Sequence, residues 1–333
     1  MHRAVLVTPF IVLATALSIG AQGATAEVAA KQLPLASLPI TERIKVPIGP
    51  GWLETAFGSL WVSKINSKMV LRIDPIANSI VAKIPAGIDP ESFAIGLGFL
   101  WVADVKGHSI LKIDPKTNRV VATIPAKLAA DPEGSIAIGN GSIWFLSDEG
   151  GTDSGTLTRI DADSGRVTNN IHVKPQSHAA ISAFDSIWVT STGEGAVMRI
   201  DPRLNKVTAE IRVPPLPRFL VASEDGIWVL CQGDGSLTRI DPSTNQVVAN
   251  IDLGVPGVGG DLSVGASYVW ASAEGIPLSQ VDPKTNQLVR QFVGGRKDDT
   301  MRIGFGSAWV LSERQGHIWK ADLQQLMQLP LRH

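Results

Sequence analysis

The chain has 333 residues, 44% of them hydrophobic and 18% charged, with a formal net charge of −1. That composition supports a sizeable core and excludes a disordered chain. A near-zero charge without a basic run excludes nucleic acid as the main partner, because phosphate binding needs a concentrated positive field; the single cysteine, Cys231, excludes an intramolecular disulfide.

The first residues, "MHRAVLVTPFIVLATALSIGAQGATAE", place His2 and Arg3 before an apolar run over 4–19, followed by an Ala-x-Ala pattern at Ala24 and Ala26. This is the layout of a secretory signal over residues 1–26, cleaved after Ala26. The apolar run is short for a membrane span and no later stretch is long enough. The expectation is therefore a periplasmic or secreted protein without a membrane anchor. Residues 27–40 then form a leader.

From there a fixed period governs the chain. Trp61, Trp101, Trp144, Trp188, Trp228, Trp270 and Trp309 follow one another at intervals of 39 to 44 residues. In step with them runs a motif such as "KIDPKTNRVVATI" (112–124), whose aspartate recurs at Asp74, Asp114, Asp161, Asp201, Asp241, Asp282 and, more degenerately, Asp322. Each period contains four short segments rich in branched residues, as in "SFAIG", "LWVAD", "SILKID" and "RVVATI", separated by Gly, Asp, Asn or Pro. Four strands repeated seven times predict an all-β fold, a seven-bladed β-propeller with four-stranded blades over 41–322. The first segments are built from small residues, such as Ala137-Ile138-Gly139, which suit innermost strands crowding one axis.

The last copy lacks a fourth segment, and "TERIKVPIG" (41–49) has the pattern of one. It is expected to complete the last blade and close the ring, removing free sheet edges. Residues 323–333 remain as a C-terminal tail.

Between the third and fourth strands the fifth motif position is Asn78, Asn118, Gly165, Asn205, Asn245 or Asn286. Asn and Gly tolerate left-handed backbone, so this position is expected to have positive φ in a tight turn. The motif aspartate then caps the turn by accepting amide hydrogen bonds. A catalytic role fails on geometry, because seven acids spread around a rim cannot converge on one substrate. The recurring tryptophans are expected to pack between blades, while Trp319 lies outside their register and is either exposed or a cover for the closure.

The segments "SLWVSKINSKMVLRIDPIANSIVAKIPAG" (59–87) and "FLWVADVKGHSILKIDPKTNRVVATIPA" (99–126) resemble the YVTN-repeat family of bacterial propellers. The resemblance implies the fold and export and assigns no chemistry. The "SHAAI" stretch (177–181) also resembles an inner-strand segment of the streptogramin B (virginiamycin B) lyases, seven-bladed enzymes that use histidines, glutamates and magnesium. That likeness implies a role for His178, although Arg218 stands where those lyases repeat the histidine.

Repeat lengths locate the variable face. The interval from tryptophan to the third-strand basic residue is usually 11 but is 15 from Trp144 to Arg159. The interval from motif aspartate to the next tryptophan is usually 27 but is 30 after Asp114 and 29 after Asp241. These changes all fall on one face, and loop variation on a rigid scaffold is where binding usually resides. The starts of the inner strands bring Glu54, Glu91, Glu133, His178, Arg218, Asp261 and Arg302 to that side of the channel, where Arg218 and Arg302 beside the carboxylates read equally as a structural ion-pair ring.

The long loop "SDEGGTDSG" (147–155) adds Asp148, Glu149 and Asp153. With Glu133 these acids are candidate ligands for a divalent cation, Mg or Ca, since hard cations need several oxygens. The alternative is a solvated acidic loop, and the spacing does not match the EF-hand pattern. His108, His172 and His317 read as surface residues, and Cys231 as a buried, inert thiol.

The leading reading is an exported, non-enzymatic propeller that binds a small ligand or an exported protein through its loop-rich face. The alternative is a metal-assisted lyase or hydrolase, with Glu54, Glu91, Glu133 or Asp261 holding a cation and His178 as general base. A quinone-cofactor dehydrogenase ranks third, because the tryptophan-docking motif of those eight-bladed enzymes is missing.

Overall fold

The computed structural model describes residues 25–47, 49–64, 68–129, 134–147, 155–254, 256–257, 259–295, 299–312 and 315–331. Its strands form seven separate sheets, each built on four antiparallel strands, arranged as blades around a central axis. In blade two the four segments read from the sequence become Pro90–Gly96, Phe99–Asp104, Ser109–Asp114 and Arg119–Pro125, from the axis outward. The innermost strands touch their neighbours all the way around the ring.

Crowding at the axis explains the small residues there. A Cβ built on Gly139 would lie 2.0 Å from Ser182 Oγ, and one on Gly96 would lie 2.4 Å from Ile138 Cγ2. Only glycine lets those adjacent inner strands approach so closely.

Closure follows the expected route. Ile40–Lys45 runs antiparallel to His317–Asp322, with Ile44 opposite Ile318, and becomes the outermost strand of blade seven. Ahead of it, Ala26–Ala30 is a short helix and Gln32–Pro34 adds a parallel fifth strand to blade six, against Gln287–Val293. Leu33 and Leu38 are buried there in one cluster with Phe292 and Trp319. Trp319 is thus a cover for the closing seam. After the last strand a helix, Leu323–Gln328, begins at Asp322, whose side chain accepts from Gln325 N at 2.7 Å.

The seven repeating tryptophans are fully buried, and each packs onto the blade that follows. Trp188 of blade four clusters with Ile227, Val229 and Ile240 of blade five. Trp309 of blade seven clusters with Leu53, Leu60 and Val62 of blade one, so the series closes on itself. Six of the indole Nε1 groups donate to a backbone carbonyl five residues back, such as Ala183 O from Trp188 at 3.0 Å; Trp228 uses Ser223 Oγ at 3.0 Å.

The turn motif behaves as its composition predicts. Asn78, Asn118, Asn205, Asn245, Asn286 and Gly165 all have φ between 52° and 68°. Asp74 Oδ1 accepts from the amides of Ile76 (2.8 Å) and Ala77 (3.0 Å). Such bonds favour the ionised form. Backbone amides therefore lower the pKa of Asp74, Asp114 and Asp201, and the hydroxyls of Ser164 and Ser243 are the main cause at Asp161 and Asp241.

The asparagine has a second role that a single repeat does not reveal. Arg199 lies over its own blade's Trp188, 4.9 Å from the ring centroid. Its Nη1 reaches the next blade and donates to Pro242 O (2.6 Å) and Asn245 Oδ1 (2.9 Å). Arg72, Arg159, Arg239 and Lys320 make the same pair of bonds to the turns at Asn118, Asn205, Asn286 and Asn78. Where the turn carries Gly165, the preceding blade has Lys112, lying instead over Phe99 and Trp101. Where Gln280 replaces the base, the next turn is the terminal helix, and Gln280 Nε2 meets Met327 Sδ.

Hydrogen bonds from a charged donor are worth about 1.5–3 kcal/mol each, with part recovered through solvation. Arg199→Ala is therefore expected to cost about 2 kcal/mol. Urea denaturation of the two proteins checks it; an unchanged midpoint would mean that the blade-to-blade bonds contribute no stability.

Candidate functional site

The inner strands enclose a cavity of about 400 Å³ to which all seven blades contribute lining residues. Its polar end is made where the ring closes, by the inner strands of blades one, six and seven. These bring Glu54, Asp261 and Arg302 together although they are remote in sequence.

Arg302 is the centre of that cluster. Its Nε donates to Glu54 Oε2 at 3.1 Å, and its Nη1 donates to an Asp261 carboxylate oxygen and to Met301 O at 2.8 Å. The guanidinium also lies over Trp52, 5.2 Å from the ring centroid. The other carboxylate oxygens accept from backbone: Glu54 Oε1 from Thr55 N and Asp261 Oδ1 from Leu262 N, both at 2.8 Å.

Burial shapes the electrostatics. Asp261 and Arg302 are buried, whereas the Glu54 side chain is 20% exposed. Desolvation pushes Asp261 up to about 6, Glu54 adds to the rise, and Arg302 opposes it. For Arg302, burial acts downward, but the two carboxylates outweigh it and hold the guanidinium charged.

The raised pKa has a definite sign for stability. Asp261 binds its proton more tightly in the folded chain than at the ordinary value of 3.8. Its stabilising contribution is complete below that value and is lost as pH rises through about 6. The stability difference between wild type and Asp261→Asn is therefore expected to shift toward wild type on acidification across this window. Denaturation midpoints across the window check this, and two parallel profiles would refute it.

The remaining wall is mainly apolar, with the hydroxyl residues Thr55, Ser182 and Ser263 among it. Trp52, Phe93 and Phe219 line it with small residues of blade four, including Ala179 and Ala180. Trp52 and Phe219 stand 6.1 Å apart at 43°. Sequence reasoning overlooked these aromatics. A signal existed in Trp52, which like Trp319 falls outside the register of the repeating tryptophans.

Of the residues singled out from the sequence, the structure gathers Glu54, Asp261 and Arg302. His178 is buried in the inner strand of blade four, edge-on to Phe219 with ring centroids 5.6 Å apart. Arg218 lies over the same phenyl ring at 5.6 Å. Neither residue, nor Glu91, is part of the cavity lining. Glu133, Asp148 and Asp153 lie outside the described residues. Among the described residues no group of three or more His, Cys, Asp or Glu side chains is placed to hold a metal ion. Cys231 is buried, and desolvation pushes its thiol up to about 12, the behaviour of an inert cysteine.

Chemically, the cluster offers charge and hydrogen-bond acceptors at one end of an aromatic chamber. Asp261 and Glu54 are both engaged by one guanidinium, each through one of its two carboxylate oxygens.

Solved structures share this architecture. Streptogramin B lyase aligns with a TM-score of 0.69 at 18% identity, covering 84% of this chain and 96% of the lyase. Hydrazine synthase of Kuenenia stuttgartiensis gives 0.68 at 13%, covering 86% and 96%. U3-55K gives 0.70 at 10%, covering 86% and 100%. At these identities the likeness establishes the β-propeller fold, which these proteins put to different uses. No protein-family model matches the chain, and no curated protein matches it in sequence.

Proposed function

We propose that the chain is an exported, non-enzymatic propeller of the YVTN-repeat type that binds a small ligand in its central cavity. The observation that carries this reading is the cavity itself. At about 400 Å³, with an aromatic wall and one convergent polar cluster, it falls within the range of roughly 300–1,000 Å³ common for small-molecule sites. Export rests on the N-terminal pattern, and among the described residues no helix is long and apolar enough to cross a membrane.

The direct test is a thermal-shift screen of the purified chain against small organic compounds, with calorimetry on each hit. Ligand binding to the native state raises the melting temperature by mass action. Hits that Trp52→Ala or Glu54→Gln abolishes support the channel site; hits indifferent to both place the ligand elsewhere. Fractionation and N-terminal sequencing test export, with Glu27 expected as the first mature residue.

A metal-assisted lyase or hydrolase is the second reading, favoured by the fold shared with streptogramin B lyase and by an inner-strand histidine, His178, in contact with a cavity residue. Its premise is a bound Mg or Ca ion. Calorimetric titration with each ion tests that premise, and absence of heat with both would remove it. An exported protein partner on the loop-rich face is a third possibility, which affinity capture from the exported fraction addresses.

A further inference from the structure

We infer that the cavity selects a small organic cation, an ammonium group carried on an apolar or aromatic body. This deepens the small-ligand reading above and rests on it.

The charge balance of the polar end is the first argument. Two carboxylates, Glu54 and Asp261, share one guanidinium, so the ionised cluster carries a residual negative charge. Each oxygen accepts one described hydrogen bond, two from Arg302 and two from backbone amides. A carboxylate oxygen has a further lone pair, so accepting capacity remains at all four. Arg302, by contrast, has Nε and Nη1 committed to these acids and to Met301 O. Only Nη2 of that guanidinium is left for an anion, and an anion reaching it would meet two like charges beside it.

The wall is the second argument, independent of the first. Trp52, Phe93 and Phe219 line the same chamber. Aromatic faces attract cations, most strongly where water is displaced. This wall already does so, since Arg302 lies over Trp52 and Arg218 over Phe219. A neutral ligand would gain from burial and hydrogen bonds, whereas an organic cation gains in addition from the aromatic rings and from the residual charge.

The test uses three probes of similar body and different charge on the full chain at neutral pH: benzyltrimethylammonium, benzyl alcohol and benzoate. The quaternary ammonium cannot lose its charge, so any change with conditions belongs to the protein. Calorimetry or ligand-observed NMR is expected to show benzyltrimethylammonium binding most tightly and benzoate least. Glu54→Gln is expected to weaken the ammonium about tenfold, equivalent to about 1.4 kcal/mol, while leaving benzyl alcohol unchanged. Added salt should weaken only the charged probe. Benzoate binding tightest, or equal affinities for all three, would overturn the inference while leaving a small-ligand site in place. No binding by any probe would overturn both. The probe ranking is read on the wild-type chain, so it stands even where a variant fails to fold.

Discussion

Arg302→Met is expected to cost about 3–5 kcal/mol of stability at neutral pH, the range found when one member of a buried ion pair is removed. The guanidinium is the counter-ion of two acids, one of them fully desolvated, and it also covers the face of Trp52. Without it Glu54 and Asp261 confront each other at the seam where the ring closes. Their charge is then the dominant cost, and acid should reduce it. Asp261 already titrates near 6 with Arg302 present; losing that cation raises it further. The deficit of Arg302→Met should therefore shrink as pH falls through this region. Adding Glu54→Gln and Asp261→Asn to the same chain should recover most of the loss, because an uncharged cluster has nothing to neutralise. Urea denaturation of the single and triple variants across pH measures both effects. A deficit independent of pH would show that Arg302 acts by packing alone.

What could be read from the sequence, and what could not, divides along the same line. The tryptophans and the Asp-Pro turn recur because every seam poses the same physical problem, and recurrence is visible in one chain. The partner of each turn asparagine was hidden, because the bond from Arg72 to Asn118 spans 46 residues and joins two copies that look identical when aligned. Glu54, Asp261 and Arg302 were individually legible as starts of inner strands. Their convergence was not: Asp261 and Arg302 sit one repeat apart, but blade one brings Glu54 beside them only after Ile40–Lys45 closes the ring. Trp52 was lost for the opposite reason. Against a background of repeating indoles a search for period discards the irregular one, yet a site that exists once must be built from departures from the repeat. Phe93 and Phe219 share that difficulty, being apolar residues in strands whose pattern already accounts for apolar residues.

Trp188→Ala is expected to be as damaging as the loss of Arg302, at about 3–5 kcal/mol, the usual cost of deleting a buried large aromatic side chain. The indole is fully buried between blades four and five. Its removal leaves a cavity against Ile227, Val229 and Ile240, deletes the indole hydrogen bond to Ala183 O, and takes away the surface on which Arg199 rests. Trp188→Phe should cost distinctly less, since a ring still fills most of the space and only the indole hydrogen bond is lost. The equivalent Trp144→Ala acts at a different seam, where Trp144 meets Ile187, Val189 and Ile200 of blade four. The two deletions share no direct partner, so their costs should add to within about 0.5 kcal/mol. In an open repeat array, weakening one interface lets the end units detach while the others persist. A closed ring has no end unit, because Trp309 joins blade seven to blade one. Each variant should therefore unfold in one transition, with fluorescence and far-UV circular dichroism coincident. Separated transitions would mean that the seam between blades four and five is a place where the ring opens before it unfolds.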